Sequence, residues 1–341
     1  MAKQQRKIVF FLGAGASFGA GADTSVQRQA RVRIPMQSTF WSTFLRFCRS
    51  AKNRRQIESF LFRYFKGYDR VPARMKPQKR RTMLSDVDVE EVFTFLSERA
   101  RAPSTSTQLR TEVNRIWEAL ISELPSVFDR FKPNNQTRAV YRKLKKNLVR
   151  ARDTFVSFNY DTVFEKSLPK SCRWHYEGIV EESKSIRVLK PHGSINWEDS
   201  DPIKITEHPK QALVVAPTHL KFVQNGSVKS KYTKGYLDHS LAISAVWTKM
   251  EREMREAKAL VFIGYSFPAA DLYFSSILRS VLADRAGAPA VTIVNPDAVA
   301  IRTRLSTRFS LKLTSIDVHY DIRSFADAHR GSWLDRLSPS T

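Results

Sequence analysis

Five consecutive apolar residues, Ile8-Val9-Phe10-Phe11-Leu12, run directly into Gly13-Ala14-Gly15-Ala16-Ser17-Phe18-Gly19. A strand with one face in water alternates apolar and polar residues, so an unbroken apolar run fits a strand buried on both faces. Such strands belong to parallel sheets covered by helices, and open α/β sheets bind ligands at the carboxyl ends of their strands. Glycines at that point let backbone N–H groups approach a pyrophosphate, and a following helix adds its positive end. The strict GxGxxG spacing is broken, because Phe18 stands where the third glycine belongs and Gly19 comes one residue later. A glycine-rich turn without a ligand would read the same way.

The second half of the chain repeats the pattern. Short apolar runs at Thr154 to Phe158, Arg187 to Leu189, Ala212 to Ala216, Ala259 to Ile263, Ala290 to Val294 and Ile316 to Tyr320 alternate with helical stretches. This is the α/β signature. The expected fold is a Rossmann-like open parallel sheet, formed by residues 1–35 and 151–341, with a mainly helical insert at 36–150 after the first strand. Within the insert, Phe40, Phe44, Phe47, Ile57, Phe60, Leu61 and Phe65 recur at helical spacing between Met36 and Lys66. A helix with acids in its first turn is expected over Asp86 to Leu96, and two more over 109–124 and 136–150. Residues 22–33, 67–82 and 101–108 read as loops.

With 341 residues, 42% hydrophobic and 26% charged, the chain can bury a core. Cys48 and Cys172 are the only cysteines. They provide no disulfide framework and no four-cysteine zinc site, which is the pattern of a reducing, cytoplasmic protein with no metal and no membrane span. Net charge is +24, from 57 Lys and Arg against 33 Asp and Glu. A field of that size attracts polyanions. Two tracts concentrate it: Arg46 to Arg81 holds thirteen basic residues and two acids, and the second comprises Arg138, Arg142, Lys143, Lys145, Lys146, Arg150 and Arg152. A solvated helical face is the plain alternative to nucleic-acid contact.

Four further strand ends carry polar residues. Phe155-Val156-Ser157-Phe158 leads to Asn159-Tyr160-Asp161; the amide can hold a ribose hydroxyl or a water, and Asp161 alternatively caps a helix. Lys190-Pro191-His192-Gly193 places an imidazole, suited to general-base work, before a residue that permits a tight turn. A hydrogen-bonded structural histidine is the plain reading, and His175, His208, His219, His239, His319 and His329 stay in that class. Gly264-Tyr265-Ser266 ends another run, with Asp271 as a helix cap, and Asn295-Pro296-Asp297 ends a late one, either at an adenosine ribose or as a strand-to-helix turn.

In this order the motifs resemble the sirtuin-like family, above all its bacterial branch from antiphage defence operons. Asp88-Val89-Glu90-Glu91-Val92-Phe93 is similar to part of that branch's helical insert. The resemblance spans about residues 7–300. It implies NAD as substrate, with Gly13, Ala14, Gly15 and Ser17 at the pyrophosphate. It puts Asn159 and Asp161 beside the nicotinamide-ribose, His192 as catalytic base beside Asn159, and Gly264, Ser266 and Asn295 on the rest of the dinucleotide. It further implies a homo-oligomer acting with a HerA-type ATPase or another defence-system partner. The family's deacetylases carry four zinc cysteines that this chain lacks, and residues 20–34 are longer than the usual link to Ile34-Pro35.

The reaction so implied is NAD+ hydrolysis to nicotinamide and ADP-ribose. Nicotinamide leaves through an oxocarbenium-like state, which an enzyme assists by positioning the ring and stabilising the developing charge. Two alternatives stand beside it: a non-catalytic nucleotide- or nucleic-acid-binding module, and an ADP-ribosyltransferase or deacylase.

Overall fold

The computed structural model describes residues 7–24, 31–71, 74–179, 185–200, 202–207, 209–215, 240–268, 271–283, 288–311 and 316–337. Residues 25–30 of the expected polar loop, Ala216, His208, His219 and His239 lie outside the described residues.

The fold is α/β, Rossmann-like, around a seven-stranded sheet. Across it the strands run Ile316–His319, Ala290–Val294, Ala259–Ile263, Ile8–Leu12, Thr154–Ser157, Ile186–Leu189 and Trp174–Tyr176, every neighbouring pair parallel. The Ile8–Leu12 strand is central and wholly buried. Successive side chains of a strand point to opposite faces. Phe10 accordingly stacks on its register partner Phe155 (ring centroids 4.9 Å apart), while Phe11 stacks on Phe262 (4.6 Å). Burial of each such side chain contributes about 1.5–3 kcal/mol.

Contacts divide the chain into two compact units. The sheet unit comprises Met1–Arg33, Lys132–His192 and Ser240–Thr341; the other comprises Ile34–Phe131 and Gly193–His239. These units do not coincide with the segments expected from the pattern of apolar runs. The Asn135–Asn147 helix groups with the sheet, packing on the Ala14–Ala20, Val163–Ser167 and Ile322–Ala326 helices. An amphipathic helix shows which face is apolar but not what that face meets.

The second unit is built on helices Phe40–Phe47, Ala51–Phe65, Pro77–Met83, Val89–Arg101 and Thr107–Phe128. The continuous helical pattern from Met36 to Lys66 breaks at Ser50, whose hydroxyl accepts the Asn53 N–H and starts the Ala51–Phe65 helix. Asp88 caps the Val89–Arg101 helix by accepting from the N–H groups of Glu90 and Glu91. Pro77–Met83 is helical inside a stretch expected to be a loop; Pro77 starts it from the first position, which favours proline.

Ala212–Val214, read as part of the alternating α/β series, is not in the parallel sheet. It pairs antiparallel with Gly193–Glu198, which also pairs with Lys204–Ile205. Gly193 adopts φ +73°, and a Cβ there would lie 2.2 Å from the Leu213 carbonyl oxygen, so the strand crossing requires glycine.

Candidate active site

Five neighbouring strands of the sheet unit each lead, within three residues of their carboxyl ends, to an expected site residue. In sheet order these are Asn295, Gly264, Gly13, Asn159 and His192. The backbone ladder continues past the strands: Gly13 N–H donates to Ile263 O (3.0 Å), Gly264 N–H to Val294 O (2.8 Å), and Phe158 N–H to Leu12 O (3.0 Å). All five therefore stand at one edge of one sheet.

The Gly13 and Gly264 turns interlock. Gly15 N–H donates to Gly264 O at 3.0 Å. A Cβ on Gly13 would sit 2.5 Å from Gly264 O, one on Gly15 2.8 Å from Gly264 Cα, and one on Gly264 2.0 Å from Ala16 N. Gly264 is also left-handed, at φ +60°. The glycines thus serve backbone-to-backbone packing, and the Gly13 and Gly15 N–H groups, read from sequence as phosphate donors, are engaged by the end of the neighbouring strand and by its turn. The expected turn is already the first turn of the Ala14–Ala20 helix, and Ala14 is its exposed residue.

Asn159 is half-buried and donates its amide Nδ2 to Gly13 O at 2.9 Å, with Ser17 Oγ at 3.5 Å. Ser17 is buried and donates to Asp161 Oδ1 at 3.4 Å. Asp161 is buried too and accepts the Val163 N–H at 2.9 Å; the N-cap of the Val163–Ser167 helix is Thr162, so Asp161 is not the cap the sequence allowed but closes the turn one residue before it. Ser17 and Asp161 therefore lie beneath the turn and support Asn159 from below. Burial pushes the Asp161 carboxyl up to about 6, against the opposing charge of Lys190.

Sequence reasoning missed the rest of this buried cluster. Lys190, fully enclosed, donates to the Asp161 carbonyl at 2.6 Å and to Glu165 Oε1 at 3.0 Å. Tyr176 donates to the same Glu165 oxygen at 3.2 Å. Tyr141 is buried as well, and burial, then the Asp161 and Glu165 charges, push its hydroxyl upward. The available signal was the lone lysine in Val188-Leu189-Lys190-Pro191, because a cation in an apolar run must find a buried partner.

His192 is buried among aromatic rings. Its ring lies 5.2 Å from Phe158, 6.4 Å from Tyr160 and 6.0 Å from Trp247. Phe158 and Tyr160 flank Asn159 in the chain, so the imidazole packs on both neighbours of the amide. Trp247 donates its indole N–H to Pro191 O at 3.1 Å, fixing the segment that carries His192. Phe158 also stacks on Tyr265 (4.9 Å), whose hydroxyl donates to the Asp271 carboxylate.

The remaining residues are peripheral. Ser266 is exposed and lines a groove of about 560 Å³ with Phe267, Arg304 and Arg308; Arg304 donates to Ser266 O at 3.2 Å. Asn295 accepts the Asp297 N–H at 3.0 Å, closing the strand-to-helix turn. His175 and His319 make structural hydrogen bonds, to Ser185 (2.6 Å) and Glu177 (2.8 Å), and to Asp317 (3.0 Å). Among the described residues, no three His, Cys, Asp or Glu side chains group as metal ligands, and no helix is long and apolar enough to cross a membrane.

No curated protein matches the chain. Residues 153–314 match the family model of the SIR2-like domain. That span contains Asn159, Asp161, His192, Gly264, Ser266 and Asn295. Because SIR2-like domains are typically NAD-dependent enzymes, the match supports a sirtuin-like family and NAD-related activity for this chain.

Proposed function

We propose that this protein hydrolyses NAD+ at the nicotinamide–ribose bond. The observation that carries the reading is the row of strand ends, with Asn159 hydrogen-bonded to the Gly13 turn at 2.9 Å and the His192 ring packed on both neighbours of Asn159. The SIR2-like match over residues 153–314, which hold Asn159 and His192 but not Gly13, supports the choice of dinucleotide.

Water adds to the ribose anomeric carbon as the C–N bond to nicotinamide breaks. Nicotinamide keeps the bonding pair and leaves neutral, and the water's second proton is released with ADP-ribose. With its nitrogen held by Gly13, Asn159 has its amide oxygen left to accept a hydrogen bond from the attacking water. His192 takes a proton from that water or from a ribose hydroxyl; such a base contributes about 10²–10⁴-fold. The exposed Ala14 N–H meets the pyrophosphate, and Ser266 and Asn295 extend the site along the edge. The resemblance to the defence branch extends this reading to NAD depletion during phage infection, with a HerA-type ATPase as partner.

The test is incubation of purified protein with NAD+ and chromatography of the products. Nicotinamide and ADP-ribose are expected in equal amounts. His192→Ala and Asn159→Ala should each lower the rate by about 10²-fold or more while melting as cooperatively as the parent. Full activity in either variant removes that residue's role, and products other than this pair overturn the reaction.

A further inference from the structure

The structure separates the two basic tracts. Four of the seven cations of the second tract are engaged within the sheet unit. Arg138 donates to Lys166 O at 2.6 Å, Arg142 to Arg138 O at 3.3 Å and Arg150 to Val149 O at 3.0 Å, while Lys143 pairs with Asp327. In the first tract, in the helical unit, Arg63, Lys66 and Arg80 pair with acids, while most of the others are exposed.

On the Ala51–Phe65 helix, Ile57, Phe60 and Leu61 are buried, while Lys52, Arg55 and Arg63 are exposed. Positions 52, 55, 59 and 63 follow the three- and four-residue steps that align side chains along one helix face. The stripe covers about 16 Å at 1.5 Å per residue. Beyond the helix, Arg70, Arg74, Lys76 and Lys79 are exposed too. Lys52, Arg55 and these four make no ion pair among the described residues.

The nearby acids are occupied. Glu58 pairs with Arg80 at 3.2 Å, Asp86 with Lys66, and Glu112 accepts the Tyr64 hydroxyl at 2.8 Å with Arg63 at 3.7 Å. Glu123 is buried on the backbone N–H groups of Arg49 (2.7 Å) and Ser50 (3.1 Å). Asp69 alone of the acids of this tract is exposed and unpaired among the described residues.

We infer that this face binds the phosphodiester backbone of a nucleic acid. A linear array of exposed cations, most of them without an acidic partner, matches a regularly charged polyanion, and guanidinium forks suit phosphate oxygens. Tyr68, 37% exposed beside Arg70, offers a ring on which a base can stack. The inference is independent of the proposed reaction, because it concerns the helical unit and its readout is binding.

Fluorescence anisotropy with a labelled 20-nucleotide RNA and a 20-base-pair DNA duplex, across 50–200 mM KCl, tests it on the full chain. Affinity for at least one should fall steeply with salt. The triple variant Lys52→Gln/Arg55→Gln/Arg63→Gln should bind at least tenfold more weakly, with the log–log salt slope reduced by about two to three. Arg138→Gln/Lys143→Gln in the second tract, where both cations are engaged, should bind as the parent does. Circular dichroism should be unchanged in both, since the substituted side chains are exposed. The inference is overturned by no binding at 50 mM salt, by parental affinity in the triple variant, or by polyglutamate competing as well as nucleic acid.

Discussion

Lys190 Nζ donates to the Asp161 carbonyl at 2.6 Å, so one buried ammonium ties the segment carrying His192 to the turn carrying Asn159. Glu165 supplies its counter-charge at 3.0 Å, and both side chains are essentially inaccessible to water. Removing one partner of such a pair strands the other and costs about 3–5 kcal/mol. Lys190→Met is expected to lower stability by that amount in urea unfolding. Glu165→Gln leaves an acceptor for the lysine and should cost less. Equal, small effects from both would show that the pair does not hold the strand ends together.

The glycine interlock predicts a contrast between two Gly→Ala substitutions. At Gly264 the new methyl would meet Ala16 N at 2.0 Å in a left-handed backbone, so Gly264→Ala should greatly reduce soluble, cooperatively melting protein. At Gly331, in the Arg330–Leu337 helix, nothing lies within 4 Å of the added Cβ. Gly331→Ala should stabilise by about 0.5–1 kcal/mol, read as a raised melting temperature.

Asp161 gives a pH dependence with a definite sign. The folded chain holds its carboxyl proton up to about 6, whereas the ordinary value is 3.8. Its contribution to stability is therefore full below the unfolded value and is lost as pH rises through the folded one. Asp161→Asn keeps an acceptor for the Val163 N–H and removes the titration. Urea midpoints of the variant should gain on the parent between about pH 4 and about pH 7. Parallel midpoints across that range would count against this account.

Glu123 has the opposite sign. Burial disfavours its charge, but the Arg49 N–H, the Asn53 amide, the Ser50 N–H and Cys48 together hold it below the ordinary glutamate value. Its stabilisation is full at neutral pH and is lost as pH falls through the lowered value. Glu123→Gln should cost about 1.5–3 kcal/mol at neutral pH, and the gap between variant and parent should close as pH falls below the ordinary glutamate range. A constant gap would mean that the charge contributes nothing.

What could be read in the sequence follows from what each residue needs locally. Ile8–Leu12 and Ala259–Ile263 were legible because five apolar residues in a row, ended by a glycine turn, suit a doubly covered strand. Trp174–Tyr176 was not, since a three-residue edge strand containing His175 has no such run. Pro77–Met83 was hidden by its polarity, and Gly193–Glu198 by Ser194 and Asn196. At the site, spacing marked Gly13, Gly15 and Gly264 as places of close backbone approach. It did not say that the approaching backbone is another turn of this chain. Lys190 left one signal, a lone cation in an apolar run, whereas Glu165 and Tyr141 acquire their roles only through contacts made in the folded state.

The central position of Ile8–Leu12 also dictates an order of assembly. Its two neighbours are Thr154–Ser157 and Ala259–Ile263, about 145 and 250 residues further along the chain. During synthesis this greasy segment must wait for both, with its hydrogen-bonding edges open, and such a wait invites aggregation. A product halted near residue 250 would keep one of those edges unpaired, so chaperone dependence and misassembly of shortened chains are built into the winding of the sheet.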